Sequence, residues 1–350
     1  MGRRSWVGAG LGAALVGAVG VGLLVAPAGA SAAPPLPPVS PEDLVSSVMT
    51  AQRGPFAGEV EVDNALGLPA VPGVPQLADG TSTVRVWSGG EDRGRVAIPS
   101  PDGERTLVSD GTTRWAYDSR DRTATRAPAG DHGGPPEGQQ QDPTAAATQA
   151  IATLRQTSTV AVDGTAEVAG RAVYQLVLTP QPTERTLLRE VRVAVDAETR
   201  QPLQLTVLAQ GQGEPALRVG FSEITYGPQD PSLFTFTPPP GTTVRDAPAR
   251  DGEQRPEGDR PRSTVGDGWD TVVIGQAPQP GDGRPRDGQD GQDQRPEGAP
   301  DLSALGQPVS GPWGSGRVIT TAVATVIVTD DGRIAAGAVP QQVLTEALAR

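Results

Sequence analysis

Residues 191–211 read VRVAVDAETRQPLQLTVLAQG, and this stretch determines the fold class. Apolar residues alternate with polar or small ones up to Asp196, and the alternation resumes after Pro202. This pattern predicts two β-strands joined by a turn, each with one apolar face. The apolar positions are Val191, Val193, Val195, Leu203, Leu205 and Val207. Their shared face must bury either a packed core or a guest molecule.

The chain around this hairpin predicts an α+β fold. Residues 40–53, SPEDLVSSVMTAQR, predict a short helix, with Ser40 as its cap and Pro41 at its first position. The apolar face of this helix comprises Leu44, Val45, Val48 and Met49. Six short strands follow from Phe56, a second helix follows Asp142, and further strands lead to DPSLFTFTPPPGTTV at residues 230–244. This order is typical of helices that cover one face of an antiparallel sheet.

Beyond residue 245 the composition changes. Residues 246–265 and 276–312 consist mainly of Arg, Asp, Glu, Gly, Pro and Gln, which predicts disordered linkers because they bury too little apolar surface. A strand at residues 266–275 lies between them. Residues 313–350 predict a hairpin with an Asp331–Gly332 turn and a helix after Pro340. Together these parts predict a small C-terminal module, distinct from a main domain over residues 33–245.

The first 32 residues predict a signal peptide. Arg3 and Arg4 precede an uncharged apolar stretch that ends on small residues around Ala30 and Ala32. The pair followed by Ser5 also loosely resembles a twin-arginine signal. Cleavage would give a soluble exported protein, whereas an uncleaved segment of roughly 20 apolar residues would anchor the chain in a membrane. The expected location is therefore extracytoplasmic, in the cell envelope or secreted.

Charge and composition exclude several classes of function. The 29 basic and 41 acidic residues give a net charge of -12, which repels a phosphate backbone, so we expect no nucleic-acid partner. The absence of cysteine excludes disulfides and thiolate chemistry. The single histidine, His132, lies in a Gly- and Pro-rich loop. We therefore predict no catalytic residues, no metal site and no cofactor, and a protein that is not an enzyme.

Residues 64–80, NALGLPAVPGVPQLADG, are apolar but irregular. Pro69, Pro72 and Pro75 exclude a regular helix or a central strand, so the segment must lie on apolar surface. It is either a loop packed permanently over the end of the sheet or a lid over an apolar groove. Aromatic residues in the strands could line such a groove or fill the core. These are Trp87, Trp115, Tyr117, Tyr174, Phe221 and Tyr226.

Two motifs that follow each other along the chain resemble motifs of the LolA-like superfamily of bacterial envelope proteins. The first is the hairpin, represented by Asp196, Thr199, Pro202, Leu203 and Val207. The second closes the domain and comprises Phe234, Phe236, Pro239, Pro240 and Gly241. The resemblance covers about residues 40–245. The chain is also similar to uncharacterised exported proteins of high-GC Gram-positive bacteria that carry this domain.

This resemblance implies an antiparallel half-barrel whose concave face is covered by helices and holds an acyl chain. The implied function is non-enzymatic binding of a lipid or lipoprotein acyl chain, as a carrier or chaperone. The alternative is an RseB-like regulator or sensor of envelope stress, whose C-terminal module binds an anti-sigma factor or another envelope protein. The candidate cavity and lid residues are Leu66, Leu68, Val71, Val74, Trp87, Trp115, Tyr117, Tyr174, Val193, Leu205 and Phe221.

Overall fold

The computed structural model describes residues 36–52, 54–68, 79–90, 92–129, 143–247, 263–276 and 306–350. Three α-helices lie in these ranges: α1 (Pro41–Thr50), α2 (Pro143–Leu154) and α3 (Gln341–Leu348). Helix α1 begins as the sequence predicts, because the Ser40 side chain accepts a hydrogen bond from the Asp43 amide. None of the helices in the described ranges has the length and apolar character needed to cross a membrane.

Eighteen strands form two sheets in the described part of the chain. The strands of the large sheet are β1 (Phe56–Asn64), β2 (Gly80–Gly90), β3 (Arg93–Ser100), β4 (Gly103–Asp110), β5 (Thr113–Asp118), β6 (Thr123–Pro128), β7 (Ser158–Val168), β8 (Arg171–Pro180), β9 (Leu188–Asp196), β10 (Pro202–Ala209), β11 (Leu217–Tyr226) and β12 (Thr243–Asp246). Those of the small sheet are β13 (Ser263–Val265), β14 (Val272–Gln276), β15 (Gln307–Gly311), β16 (Gly314–Thr320), β17 (Thr325–Thr329) and β18 (Arg333–Gly337).

The large sheet is open and almost wholly antiparallel. Its order is β12-β6-β5-β4-β3-β2-β1-β11-β10-β9-β8-β7, so β1 joins two meanders in the middle of the sheet. The pair β12 and β6 is parallel, whereas the other neighbours are antiparallel. The predicted hairpin at residues 191–211 is confirmed as β9 and β10.

Helix α1 covers the part of the sheet formed by β7, β8 and β9. Leu44 is fully buried and packs with Tyr174 and Val195, which face each other across β8 and β9. Helix α2 lies beside α1, and its Ile151 is also fully buried. The prediction that Met49 belongs to the buried face of α1 is wrong, because Met49 is 52% exposed in the last turn of the helix.

The segment after β11 covers a different part of the sheet. A short 3-10 helix at Pro231–Phe234, capped by Asp230, packs against β2, β3 and β4. The Phe236 ring lies 5.4 Å from the ring of Trp115 and 5.5 Å from that of Tyr117, which alternate on one face of β5. The closing motif therefore covers this face of the meander formed by β2 to β6.

The C-terminal module is a six-stranded sheet covered by α3. Its order is β13-β14-β18-β17-β16-β15, and the fully buried Val272, Ile327 and Leu344 lie at the centre of its core. The module is larger than predicted, because β13 and β15 lie within ranges that the sequence assigned to linkers. Those two strands are short and polar, so their composition resembles that of the linkers around them. Residues 248–262 and 277–305, the remainder of the predicted linkers, lie outside the described residues.

Hydrogen bonds join the module to the large sheet. The Leu187 amide and the Thr186 hydroxyl both donate to the carbonyl of Ala338, at 2.8 and 2.6 Å. The indole nitrogen of Trp269 donates to the hydroxyl of Ser158 at 2.7 Å. Because Ser158 is only 1% exposed, this bond satisfies a buried hydroxyl group at the start of β7.

Candidate functional site

A large cavity, with a volume of about 690 Å³, lies on the face of β2 to β6 opposite the 3-10 helix. Strand pairing aligns Val96, Leu107, Ala116 and Thr125 in one row across β3, β4, β5 and β6. Residues that face each other across strands share a face of the sheet, so this row forms the floor of the cavity. The floor is therefore mainly aliphatic.

Leu107 shows why this face is unusual. It is 38% exposed, whereas its neighbours Thr106 and Val108 point to the other face and are 4% and 3% exposed. Strand β4 thus places apolar side chains on both faces, but among the described residues only one of these faces is covered by another segment of the chain. An apolar floor that is left open to solvent is typical of a surface that binds an apolar partner.

Polarity changes along the strands of this cavity. The next row beside the floor contains Gly94, Ser109, Arg114 and Ala127, which face one another in the strand register. Arg93 also lines the cavity near this row. Asp92 lines the cavity as well, so the cavity has an aliphatic middle and a polar end that carries both basic and acidic side chains. This arrangement suits an amphiphilic chain.

The predicted site residues do not all meet at this cavity. Trp115 lines it, although its ring packs against Phe236 on the far side of the sheet. Tyr117 packs on Phe236 as well. Trp87 lines a separate cleft of about 210 Å³, where the guanidinium groups of Arg85 and Arg95 each lie 5.9 Å from its ring centre.

The remaining aromatic and hairpin residues lie in the other half of the sheet. Tyr174 is 6% exposed under α1, and its hydroxyl donates to the Pro37 carbonyl at 2.9 Å. Val193 packs against the same cluster. Phe221 meets the Phe56 ring edge to face at 5.8 Å, and Leu205 is 37% exposed.

The apolar segment after β1 is described only at its ends. The Leu66 carbonyl accepts a hydrogen bond from the Ala322 amide of the C-terminal module, at 2.8 Å. Leu68 is half-buried. Val71 and Val74 lie outside the described residues, as does His132. The structure therefore places the base of this segment against the module.

The opening hairpin packs against the chain's own side chains. Val195 is 2% exposed beneath α1, and Leu203, also 2% exposed, packs with Val173 and Ala194. Val195 and Leu203 thus pack on opposite faces of the sheet, because the register shifts between Pro202 and Gln204, so the prediction of one shared apolar face is wrong for Leu203. None of the described residues that line the large cavity belongs to the hairpin. The sequence analysis did not identify Val96, Leu107 and Ala116, the floor of that cavity, and the only signal for them is the pair of adjacent apolar residues in β4.

A charged network holds the β9–β10 turn. Asp196 is 1% exposed and accepts hydrogen bonds from Arg171 and from the amides of Glu198 and Thr199. Burial raises the pKa of Asp196, but these hydrogen bonds and the Arg171 charge outweigh it, so the pKa lies below its ordinary value. Burial raises the pKa of Tyr226, whose hydroxyl lies 3.1 Å from that of Thr199. The network fixes the turn in its charged form.

Within the ranges that the structure describes, no three acidic or histidine side chains are grouped so that they could hold a metal ion. The perturbed carboxylate Asp196 is bound by Arg171 and two backbone amides, and this arrangement serves the turn.

Solved structures provide the matches to this chain. No protein-family model matches the chain, and no curated protein matches it. A chain of the Pseudomonas aeruginosa MucA/MucB complex matches at 16% identity and a TM-score of 0.42, over 87% of this chain and 94% of that chain.

Two further solved structures match about half of the chain. A LolA superfamily protein from Nitrosomonas europaea matches at 13% identity and a TM-score of 0.24, over 57% of this chain and 99% of its own. LprF from Mycobacterium bovis matches at 12% identity and a TM-score of 0.27, over 55% and 99%. The chain is similar to these envelope proteins, which is the resemblance that its motifs indicated.

Proposed function

We propose that this protein binds an acyl chain of a lipid or lipoprotein, without chemical catalysis, in the cavity over β2 to β6. The observation that carries the proposal is the open aliphatic floor, with Leu107 at its centre and 38% exposed. The half-barrel implied by the sequence resemblance would place the ligand under the helices. The cavity supports the opposite half of the sheet as the site.

The size and chemistry of the cavity fit such a ligand. Its volume of about 690 Å³ lies within the range of small-molecule sites, about 300–1,000 Å³. Burying ten methylenes would contribute about 8 kcal/mol, at about 0.8 kcal/mol each. Association costs at least about 4 kcal/mol of lost translational and rotational freedom, so the expected binding is reversible and of moderate affinity.

A matched pair of variants tests the proposal. Leu107→Asp places a carboxylate on the cavity floor, whereas Leu205→Asp places one at a site of equal exposure, 37%, outside the residues that line the cavity. The probe is a neutral monoacylglycerol, and its binding is measured by calorimetry. We expect Leu107→Asp to weaken binding at least tenfold and Leu205→Asp to leave it unchanged. Equal binding by both variants would contradict the proposal.

A second candidate function is binding of an envelope protein through the C-terminal module, as in an RseB-like regulator. The observation that favours it is a second apolar row, on the face of the small sheet away from its core. Strand pairing aligns Val273, Ala336, Val326 and Ile319 in this row, and Val273 is 43% exposed. The corresponding row on the core face contains the fully buried Ala335 and Ile327.

The two functions separate experimentally. Val273→Asp should abolish capture of an envelope protein partner by the full chain from its own host, and leave monoacylglycerol binding unchanged. The matched control is Val244→Asp, because Val244 is 46% exposed on β12 of the large sheet. If Val273→Asp and Val244→Asp capture the same proteins as the unmodified chain, the second function is wrong.

A further inference from the structure

A second cavity, of about 450 Å³, lies between the end of α1 and the β9–β10 turn. We call it the Arg200 cleft. Its apolar walls are Val48 in α1, Ala51 directly after α1, and Pro202 at the start of β10. Thr199 and Arg200 contribute polar groups from the turn. The cleft therefore combines apolar walls with a cation, and its lining shares no residue with that of the larger cavity.

The backbone of Arg200 has an unfavourable conformation. Its φ is 62°, in the left-handed region, where glycine or asparagine would cost less. A large side chain that holds this conformation must be retained by the surrounding structure, and such positions cluster at functional sites. The conformation points to a use for the guanidinium group that a glycine could not supply.

Arg200 is half-buried, and one nitrogen of its guanidinium group has no acceptor among the described residues. The guanidinium carbon lies 5.1 Å from the centre of the Tyr174 ring, and the Nη1 atom is buried with no hydrogen-bond partner among the described residues. Arg171 provides an internal comparison, since it lies 4.8 Å from the Tyr226 ring but donates to Asp196 and Glu198. Buried polar groups in native proteins are nearly always hydrogen-bonded. Of the two arginines, Arg171 has acidic partners, whereas Arg200 has none among the described residues.

The acidic residues nearby are already bound. Glu198 is the only acidic side chain among the described residues that line the cleft, and Arg171 donates to it at 2.9 Å. The Glu198 side chain is 84% exposed. Asp196 lies behind the turn and accepts three hydrogen-bonded groups. Among the residues that the structure describes, no acidic side chain pairs with Arg200.

We propose that the Arg200 cleft binds the anionic group of a small amphiphile, a carboxylate or a phosphate attached to an apolar body. A planar guanidinium donates two parallel hydrogen bonds to either group, and the apolar walls accept the attached chain. Thr199 and Gln201 border the same space and can complete the set of donors. This site is separate from the proposed acyl-chain cavity and does not depend on it.

Short amphiphiles test the proposal on the full chain. The probes are hexanoate, hexyl phosphate and the neutral hexanol, measured by calorimetry at low salt. We expect at least one anionic probe to bind and hexanol to bind much more weakly. A preference for hexanoate would identify a carboxylate ligand, and a preference for hexyl phosphate would identify a phosphate ligand. Absence of binding by both anions, or equal binding of hexanol, would overturn the proposal.

Variants locate the site. Arg200→Gln should weaken binding of the preferred anion at least tenfold. Arg120→Gln is the control, because the Arg120 side chain is 66% exposed and lines neither cavity, and it should leave binding unchanged. Arg200→Lys keeps the charge but loses the planar guanidinium group, so its affinity for the anion should lie between that of the unmodified chain and that of Arg200→Gln. The Nε signal of Arg200 in proton–nitrogen spectra is assigned as the arginine signal that disappears in the Arg200→Lys variant. In the unmodified chain, this signal should shift when the anion is added. Unchanged affinity in Arg200→Gln, or an unshifted signal, would overturn the proposal.

Discussion

Replacing Asp196 by Asn should destabilise the protein more than any exposed carboxylate replacement would. Asp196 is 1% exposed, while the side chain of its partner Arg171 is 25% exposed, so the pair is largely removed from water. Asn retains an oxygen that can accept from the amides of Glu198 and Thr199, but it loses the charge that Arg171 faces. Removing one member of a buried ion pair costs about 3–5 kcal/mol, and the partial exposure of Arg171 favours the lower end, about 3 kcal/mol.

Urea unfolding measures this effect directly. With a slope of about 3 kcal/mol per molar urea, a loss of about 3 kcal/mol lowers the unfolding midpoint by about 1 M. Asp246→Asn is the matched control, because Asp246 is 67% exposed where it pairs with Arg126, and it should leave the midpoint unchanged. If the two variants unfold at the same urea concentration, the turn is not held by the Asp196 charge.

The pH dependence of the same variant has a defined sign. The pKa of Asp196 is lower in the folded protein than its ordinary value of 3.8. The stability that its charge contributes is therefore fully present above that ordinary value, and it is lost as the pH falls through the folded pKa. The difference in unfolding free energy between the unmodified protein and Asp196→Asn should stay constant from pH 8 to pH 5 and shrink below about pH 4. A difference that persists at pH 2 would contradict this account.

Two further substitutions test the packing of the large sheet and the attachment of the module. Gly58→Ala should destabilise the fold by about 1–3 kcal/mol, because the added Cβ would lie 2.6 Å from the Glu223 carbonyl oxygen, whereas Gly54→Ala meets nothing within 4 Å and should unfold at the same urea concentration as the unmodified protein. Trp269→Phe should cost about 1–3 kcal/mol in the same assay because it leaves the buried Ser158 hydroxyl without its indole donor, and a midpoint equal to that of the unmodified protein would show that water replaces the indole.

Local patterns in the sequence predicted most of the elements. Ser40 and Pro41 set the start of α1, and the alternation around Asp196 and Pro202 set the hairpin of β9 and β10. These signals are local, since a cap or a turn depends on residues within a few positions of each other. Pairing across long distances has no such signal. The parallel pairing of β12 with β6 and the antiparallel pairing of β1 with β11 both join distant segments that local patterns could not connect.

The location of the cavity was harder to predict from the sequence. Period-two alternation shows which residues share a face, but it does not show which other segment covers that face. The hairpin residues Val195 and Leu203 have the stronger alternation, and they pack in a core. Leu107 belongs to a run of adjacent apolar residues, which gives no preferred face. Its exposure follows only from where the 3-10 helix and Phe236 pack.

The cover over Trp115 and Tyr117 also constrains the order in which the protein folds. The segment that supplies Phe236 and β12 pairs with residues far earlier in the chain, and Arg126 and Asp246 on the paired strands are 120 positions apart. Ribosomal synthesis proceeds from the N-terminus, so the meander of β2 to β6 emerges long before the segment that covers it. Its aromatic face must remain without its partner while β7 to β11 are made, and the late addition of a parallel strand at the opposite edge completes the sheet. Folding of this half is therefore expected to be slow and to finish last.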